Sequence, residues 1–378
     1  MAILTNAPSP ITTPTYDGSG QTVHPSVLDF GQGIIRPGHT AWNGYRYWMA
    51  MTPYPNSQAI YENPSLLCSH DGLTWTEPPG FQGIKGTHDD PSTGPGNPML
   101  DVSYWAPADH SNHYCNDPHM LYIAEHDELW VWFGRMYKDP DTGAALPGYG
   151  VYVVTYGTDN ITRGPYFTNT SGLHVVERKA PGELFHAWQV RLVTRDGTSG
   201  YVLGHRTSTD GLVWGSTFDL PTEDSWDPWR LLSPALGPAH FGGTLRANGN
   251  TVDFIVATAP YGSVAPSIPL VLPYFHARTY LDDPTRWDYP LGITPILESG
   301  GDGAWDRLLY RQSFVIQGSD CRMWYSAMSS AGEWRTGYTE GFLTGLIPDT
   351  PFADQLFHRT EGQWRECSLR LRAAGEWR

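Results

Sequence analysis

The sequence predicts an all-β fold, a five-bladed β-propeller with a small C-terminal β appendage. Three observations predict it. Short stretches such as Tyr45-Arg46-Tyr47-Trp48-Met49-Ala50-Met51 alternate large aromatic and smaller residues without helical spacing, and Pro53 closes this one. The unit of strand, polar loop, strand and Asp-Gly turn ending in Trp recurs, with Ser69-His70-Asp71-Gly72-Leu73-Thr74-Trp75 matched by Ser208-Thr209-Asp210-Gly211-Leu212-Val213-Trp214. The 41 Gly and 32 Pro in 378 residues leave little room for long helices. A two-sheet sandwich is the competing architecture, and it does not require the same turn-and-Trp ending in successive units.

Taken in order, residues 1–22 carry three prolines and few large apolar residues, which suits an extended arm lying on another surface. Val23–Phe30 is a short strand entered through His24-Pro25. The first unit runs from Tyr45 to Trp75. Residues 80–116 form a long irregular insert, of a kind that is usually functional inside a compact domain. The second unit holds Asn116–Tyr122, Glu128–Gly134 and Tyr149–Tyr156. The third holds Phe185–Val193, Gly200–Gly204 and the Asp210-Gly211 turn. The fourth runs from Ala239-His240-Phe241 through Val252–Ala257 to Tyr274–Arg278 and Trp287. The fifth holds Arg311–Ile316, Cys321–Ala327 and Glu333–Tyr338. The propeller is thus expected over 23–343. A linker and β-hairpin-like appendage are expected over 344–378, where Gly362-Gln363-Trp364-Arg365 and Gly375-Glu376-Trp377-Arg378 flank an alternating stretch.

A formal charge of −15 argues against nucleic acid and anionic membranes as partners. Cys68, Cys115, Cys321 and Cys367 show no C-x-x-C spacing and read as buried free thiols. Met1–Thr15 has no basic segment followed by an apolar core, and no apolar run reaches the ~18 residues of a membrane span. Synthesis in the cytoplasm without membrane insertion is the expectation. Aromatic content of 13%, with 16 Trp, exceeds what a core needs and suits a surface that stacks against sugars. Periodic Trp nevertheless reads first as packing between blades.

If each inner strand starts at one face of the ring, His24, Asp117, His186, His240 and Arg311 gather at one mouth, with Glu62 in an adjoining loop. The histidines His24, His119, His186, His240 and His276 lack metal-ligand spacing, so a hydrogen-bonded polar channel is expected rather than a metal site, and no cofactor is called for. Arg311 could clamp the carboxylate of an acidic sugar or pair with Asp306. Asp117 and Asp306 could equally cap turns.

His24-Pro25-Ser26-Val27, Asn116-Asp117-Pro118-His119 and Met323-Trp324-Tyr325-Ser326-Ala327 with Thr336-Gly337-Tyr338 resemble blade motifs of five-bladed propeller glycoside hydrolases of the arabinanase and β-xylosidase type. The Ser-x-Asp-Gly-x-x-Trp endings resemble, one residue shorter, the Asp-box turns of sialidase-type propellers. The resemblance implies a general acid and a general base, both carboxylates, roughly 6.5–9.5 Å apart in inverting enzymes, and a third carboxylate tuning the acid. Asp117 matches a family Asp-Pro position, and Glu62 and Asp306 follow by location, with Glu183 behind them. Where the family's first blade presents its Asp general base, this chain has His24. A substrate-contacting set of His24, Trp48, His119, His186, Trp188, Gln189, His240 and Arg311 is expected around a bound polysaccharide or glycan.

The Gly-x-Trp-Arg endings resemble those of minor tail proteins from phages of actinobacteria. That resemblance implies a virion protein assembled in the host cytoplasm. Its appendage and N-terminal arm would contact other tail subunits, and its propeller would recognise a cell-envelope glycan. An active glycoside hydrolase and a purely structural tail component are the other two readings.

Overall fold

The structure is a computed structural model. It describes residues 3–32, 35–85, 96–101, 113–137, 150–170, 172–195, 198–219, 241–245, 249–257, 273–292, 294–343, 356–360, 363–367, 372–373 and 376–377. His240, the linker over 344–355 and residues 86–95 and 102–112 of the long insert lie outside the described residues.

The alternating stretches form antiparallel sheets, and the only helical elements among the described residues are short 3-10 turns. The first sheet pairs β1 (Thr22–Asp29), β2 (Tyr47–Pro53) and β3 (Ser65–Ser69). The second has β4 (His113–Ile123), β5 (Glu128–Tyr137), β6 (Gly150–Gly157) and β7 (Thr162–Phe167). The third has β8 (Val175–Arg178), β9 (Phe185–Arg195), β10 (Thr198–Ser208) and β11 (Phe218–Asp219). The fourth has β12 (Phe241–Leu245), β13 (Thr251–Ala257), β14 (Tyr274–Tyr280) and β15 (Trp287–Asp288). The fifth has β16 (Leu308–Gln317), β17 (Asp320–Met328) and β18 (Trp334–Phe342). In the appendage β19 (Leu356–Thr360) pairs with β20 (Gln363–Cys367), and β21 (Arg372–Ala373) with β22 (Glu376–Trp377).

The first strands of the five sheets touch in a closed cycle, β1 to β4, β4 to β8, β8 to β12, β12 to β16 and β16 back to β1. All five line one cavity of about 350 Å³, with Ser26, Met120, Glu177, Thr244 and Ser313 among its walls. Their inner edges carry backbone groups that no further strand pairs, and side chains from the neighbouring sheet answer them. One strand out, Gln312 donates to the Ile255 carbonyl of β13, while on the inner edges Ser313 Oγ accepts from Val27 N at 2.8 Å and Ser26 Oγ accepts from Met120 N at 2.9 Å. His119 belongs to this set, its Nε2 lying 2.8 Å from the Val176 carbonyl. The fourth sheet comes so close that a side chain at Gly242 would meet the Gln312 carbonyl and one at Gly243 would meet Val175.

The two Asp-Gly turns act as rivets between sheets. Asp71 Oδ1 accepts the N–H groups of Leu73 and Thr74, and Asp210 Oδ1 those of Leu212 and Val213, which leaves each turn's glycine carbonyl free to face inward. The Gly72 carbonyl accepts two indoles, Trp75 at 3.0 Å and Trp324 of the fifth sheet at 2.7 Å. Gly211 likewise accepts Trp214 at 3.0 Å and Trp132 of the second sheet at 2.9 Å.

Trp48 and Trp188, expected to contact substrate, are core residues instead. Trp48 is buried against Trp42, and Trp188 against Phe254. The alternation that makes a strand also turns its large rings into the seams between sheets, where apolar burial is worth most. Cys68, Cys115 and Cys321 are buried free thiols. No helix among the described residues is long and apolar enough to cross a membrane.

The N-terminal arm lies on this chain's own fifth sheet. Ile11 N donates to the Thr336 carbonyl, Thr339 Oγ1 to the Thr5 carbonyl, and Leu4 packs against Gly341. Asn6 Nδ2 donates to Asp306 Oδ2 at 2.7 Å and Trp305 Nε1 to the Ala7 carbonyl at 2.9 Å. The surface that the arm was expected to find on another subunit is therefore supplied by this chain.

Candidate functional site

Three of the five first strands carry the same irregularity near their beginnings. The pairing register slips between Val23 and Ser26 in β1, between Asn116 and His119 in β4, and between Leu309 and Gln312 in β16. A bulge re-aims the side chains that it inserts, and here the inserted residues are His24, Asp117 and the pair Tyr310-Arg311. His24 and Asp117 sit in the left-handed region, at φ 57° and 53°, although each has a β-carbon and each precedes proline. Such a conformation costs of order 1–3 kcal/mol and persists where the surroundings impose it, most often at functional sites.

The imposed geometry brings the three bulges together. His24 Nε2 lies 3.2 Å from Asp117 Oδ1, and His24 Nδ1 lies 3.1 Å from Thr52 Oγ1 and 3.5 Å from Glu62 Oε2. Glu62 is set by a 3-10 turn, Ala59–Tyr61, which it closes by donating its N–H to Ala59, and its own carbonyl accepts the N–H of Cys115, two residues before Asp117. Arg311 Nη1 reaches Asp117 Oδ1 at 2.9 Å, and Nη2 donates to the His174 carbonyl at 2.6 Å. The Tyr310 ring lies 5.1 Å from that of His24, and Trp334 joins Tyr310 to Tyr54 with centroids 5.1 and 5.8 Å away. Asp117 is the more open carboxylate, its side chain 26% exposed against 6% for Glu62.

Burial drives His24 down to about 4, with Arg311 and His174 adding to the effect and Asp117 opposing it. At neutral pH its ring is uncharged and carries one N–H, while a carboxylate stands at each nitrogen. One proton must serve two acceptors, and Thr52 can donate to Nδ1 when the ring proton faces Asp117. His174 is also held near 4, by burial first and then by Arg311 against Asp117. Burial and the charges of Asp117 and Glu62 raise the Tyr310 phenol well above its ordinary range, so it stays a donor.

Of the residues expected from sequence, His24, Glu62, Asp117 and Arg311 converge. His119 lies just beyond Asp117 on the cavity wall. Asp306 is elsewhere in the bonding pattern, buried and held by Asn6 and by the Tyr325 hydroxyl at 3.0 Å, in the seam of the N-terminal arm. Arg311 accordingly pairs with Asp117 and not with Asp306. The third sheet begins one strand earlier than expected, at β8, which moves His186 and Gln189 onto the second strand. His186 Nδ1 meets His205 Nε2 at 3.2 Å, and Gln189 bonds Thr217. Glu183 stands exposed in the turn before β9.

His174, Tyr310, Tyr54 and Thr52 were not anticipated. The one signal for His174 is its place directly before Val175-Val176, as His24 stands just before its strand's apolar run. Among the described residues no group of three or more His, Cys, Asp or Glu is arranged to hold a metal ion.

No family model matches the chain. It is 26% identical over 393 residues to the A type blood N-acetyl-alpha-D-galactosamine deacetylase of Flavonifractor plautii, a match covering 86% of this chain and 45% of that protein. The chain thus spans about half the length of the curated relative it matches. The crystal structure of an N-acetylgalactosamine deacetylase from F. plautii, in complex with blood group B trisaccharide, superposes at a TM-score of 0.63 with 21% identity, over 92% of this chain and 99% of that one. A glycoside hydrolase structure superposes at 0.52 with 10% identity, over 90% and 93%. A thermostable family-43 glycoside hydrolase is a looser likeness, at 0.46 with 12% identity, over 96% of each chain. At these identities the structural likeness is one of fold, which the resemblance to propeller glycoside hydrolases led us to expect.

Proposed function

We propose that this chain is a five-bladed propeller hydrolase that acts on a glycan, and that its reaction is removal of an N-acyl group from an amino sugar. The observation that carries the reading is the line Glu62, His24, Asp117 at the end of the ring where the first strands begin. Amide hydrolysis needs a base to take a proton from water and an acid to return one to the leaving nitrogen. Asp117, the more open carboxylate, is the base. The proton that Asp117 takes from water passes through the uncharged His24 ring, which Glu62 orients, to the departing amine, and the Tyr310 phenol can donate to the oxyanion between. The C–O bond to water forms, the C–N bond breaks, and carboxylate and amine leave. The deacetylase relatives support this choice among hydrolytic reactions.

Cleavage of a glycosidic bond is the second reading. The facing oxygens of Glu62 and Asp117 are at most about 9 Å apart across the His24 ring, under the roughly 9.5 Å ceiling for a water-activating carboxylate pair. The imidazole, however, fills the space that such a water would use, which favours the first reading. None of the similar proteins reported above is a tail component, so the enzyme reading replaces the tail reading. A place in a virion rests on the resemblance of residues 357–378 alone, and the N-terminal arm lies on this chain's own fifth sheet.

The test is to incubate the purified chain with glycans ending in N-acetylhexosamine and with arabinan and galactan, following acetate, free amine and reducing ends. Acetate and amine appearing together, and vanishing in Asp117→Asn and Glu62→Gln, support deacylation. Reducing ends without acetate transfer the assignment to glycoside cleavage, and neither product from any substrate removes the enzyme reading.

A further inference from the structure

We infer that Arg311 is a positioning residue that locks Asp117 into its left-handed conformation, and that it is not a receptor for an acidic sugar. Its side chain is 3% exposed and both terminal nitrogens are engaged, Nη1 with Asp117 Oδ1 and Nη2 with the His174 carbonyl. Its backbone is held as well. Ser326 Oγ accepts from Arg311 N at 3.2 Å and donates to its carbonyl at 2.8 Å, across the bulge between β16 and β17. One guanidinium thereby ties the fifth sheet to the second and the third across the ring.

A planar fork aimed at two fixed acceptors is pre-organised and loses little freedom on bonding. Withdrawing it to bind a substrate carboxylate would leave the strained Asp117 and the His174 carbonyl without this donor, and would bring a further carboxylate beside Asp117 and Glu62. Uronic and sialic acids should therefore be poor ligands, and neutral N-acylated sugars good ones. This deepens the proposed deacylation and rests on it for its kinetic arm.

The experiment compares Arg311→Lys and Arg311→Gln with the wild type. A 1 Å displacement of a reacting group can cost about 100-fold in rate, so Arg311→Gln is expected to lose kcat on that scale with KM nearly unchanged, and guanidinium ion in the buffer to restore part of it. Arg311→Lys keeps a charge near Asp117 but cannot also reach His174 in the same plane, and should fall between the two and serve if the Gln variant does not fold. A raised KM with unchanged kcat, or uronate binding to the wild type that Arg311→Gln abolishes, overturns the inference. If the wild type turns over nothing, the reaction reading fails by itself. A crystal structure of Arg311→Gln then decides about Arg311, since Asp117 keeping its φ and its approach to His24 would refute the positioning role.

Discussion

Trp324 of the fifth sheet donates its indole N–H to the carbonyl of Gly72 in the first, at 2.7 Å, and Trp75 shares the same acceptor. The first and fifth sheets, which close the cycle of first strands, are thus joined at a turn whose sequence the third sheet repeats. There Trp132 and Trp214 meet on Gly211.

Replacing either crossing indole with phenylalanine tests the rivet. Trp324→Phe should lower stability by about 1 kcal/mol for the lost hydrogen bond, plus a contribution from the smaller ring. Trp132→Phe should do the same. The sites share no partner, so chemical denaturation of the double variant should show additive losses. An unshifted midpoint in Trp324→Phe would remove the rivet from the account.

The arm gives a second stability prediction. Asn6→Ala leaves the buried Asp306 carboxylate with the Tyr325 hydroxyl but without the Asn6 amide and should cost about 1–3 kcal/mol. Turnover per folded molecule should not change, because the Asn6 side chain bonds Asp306 and Glu298 and not Asp117 or Glu62. Loss of activity in step with wild-type-like melting would return Asp306 to the reaction.

Stability should depend on pH from both sides. Burial holds His119 near 3 and His24 and His174 near 4 in the fold, whereas an unfolded histidine titrates near 6.5. The unfolded chain therefore binds more protons between these values, and stability present above pH ~6.5 is lost progressively as pH falls toward 4. Glu177 has the opposite sign. Burial raises it to about 8, with the Leu245 N–H opposing, so the fold binds its proton more tightly than the unfolded chain, and stability is lost as pH rises through 8. Glu177→Gln should flatten the alkaline limb of a melting-temperature profile, the decline between pH ~6.5 and 8, and steepen the acid limb below it, where the Glu177 loss and the histidine gain offset each other in the wild type. An unchanged alkaline limb would mean that Glu177 is ionised in the fold.

His24 stands where the resembled hydrolases have an aspartate, and the two residues bring different chemistry. His24→Ala should reduce turnover by about 10²–10⁴-fold, the usual contribution of a positioned acid or base. His24→Asp, which shortens the side chain and reopens space for water, should lose deacylation, and any new reducing ends from arabinan would show that the ring alone separates the two reactions.

The all-β class was legible because strand alternation and the Asp-Gly-x-x-Trp turns are local signals, written within seven residues. The meeting of His24 and Asp117 was legible because each stands at the start of an inner strand, although the bulges that aim them were not anticipated. β8 was hidden by its length, four residues with no turn motif, and with it went His174 and the correct strand for His186. Tyr310 and Tyr54 could not be told from packing aromatics, because nothing local distinguishes a ring beside a carboxylate from a ring between sheets. Trp48 and Trp188 erred the other way, and Asp306 was assigned to the mouth because the arm that claims it lies 300 residues earlier in the chain.

The left-handed backbone at His24 and Asp117 sets the chain's robustness against its chemistry. Glycine at either position would adopt the same angles without penalty, yet Asp117→Gly would strand the buried Arg311 guanidinium and His24→Gly would empty a buried site, so relief of strain alone does not stabilise the chain. The two left-handed residues are held by the partners they reach, Asp117 by Arg311 and His24 by Thr52, and a variant that relaxes the backbone loses those anchors in the same step.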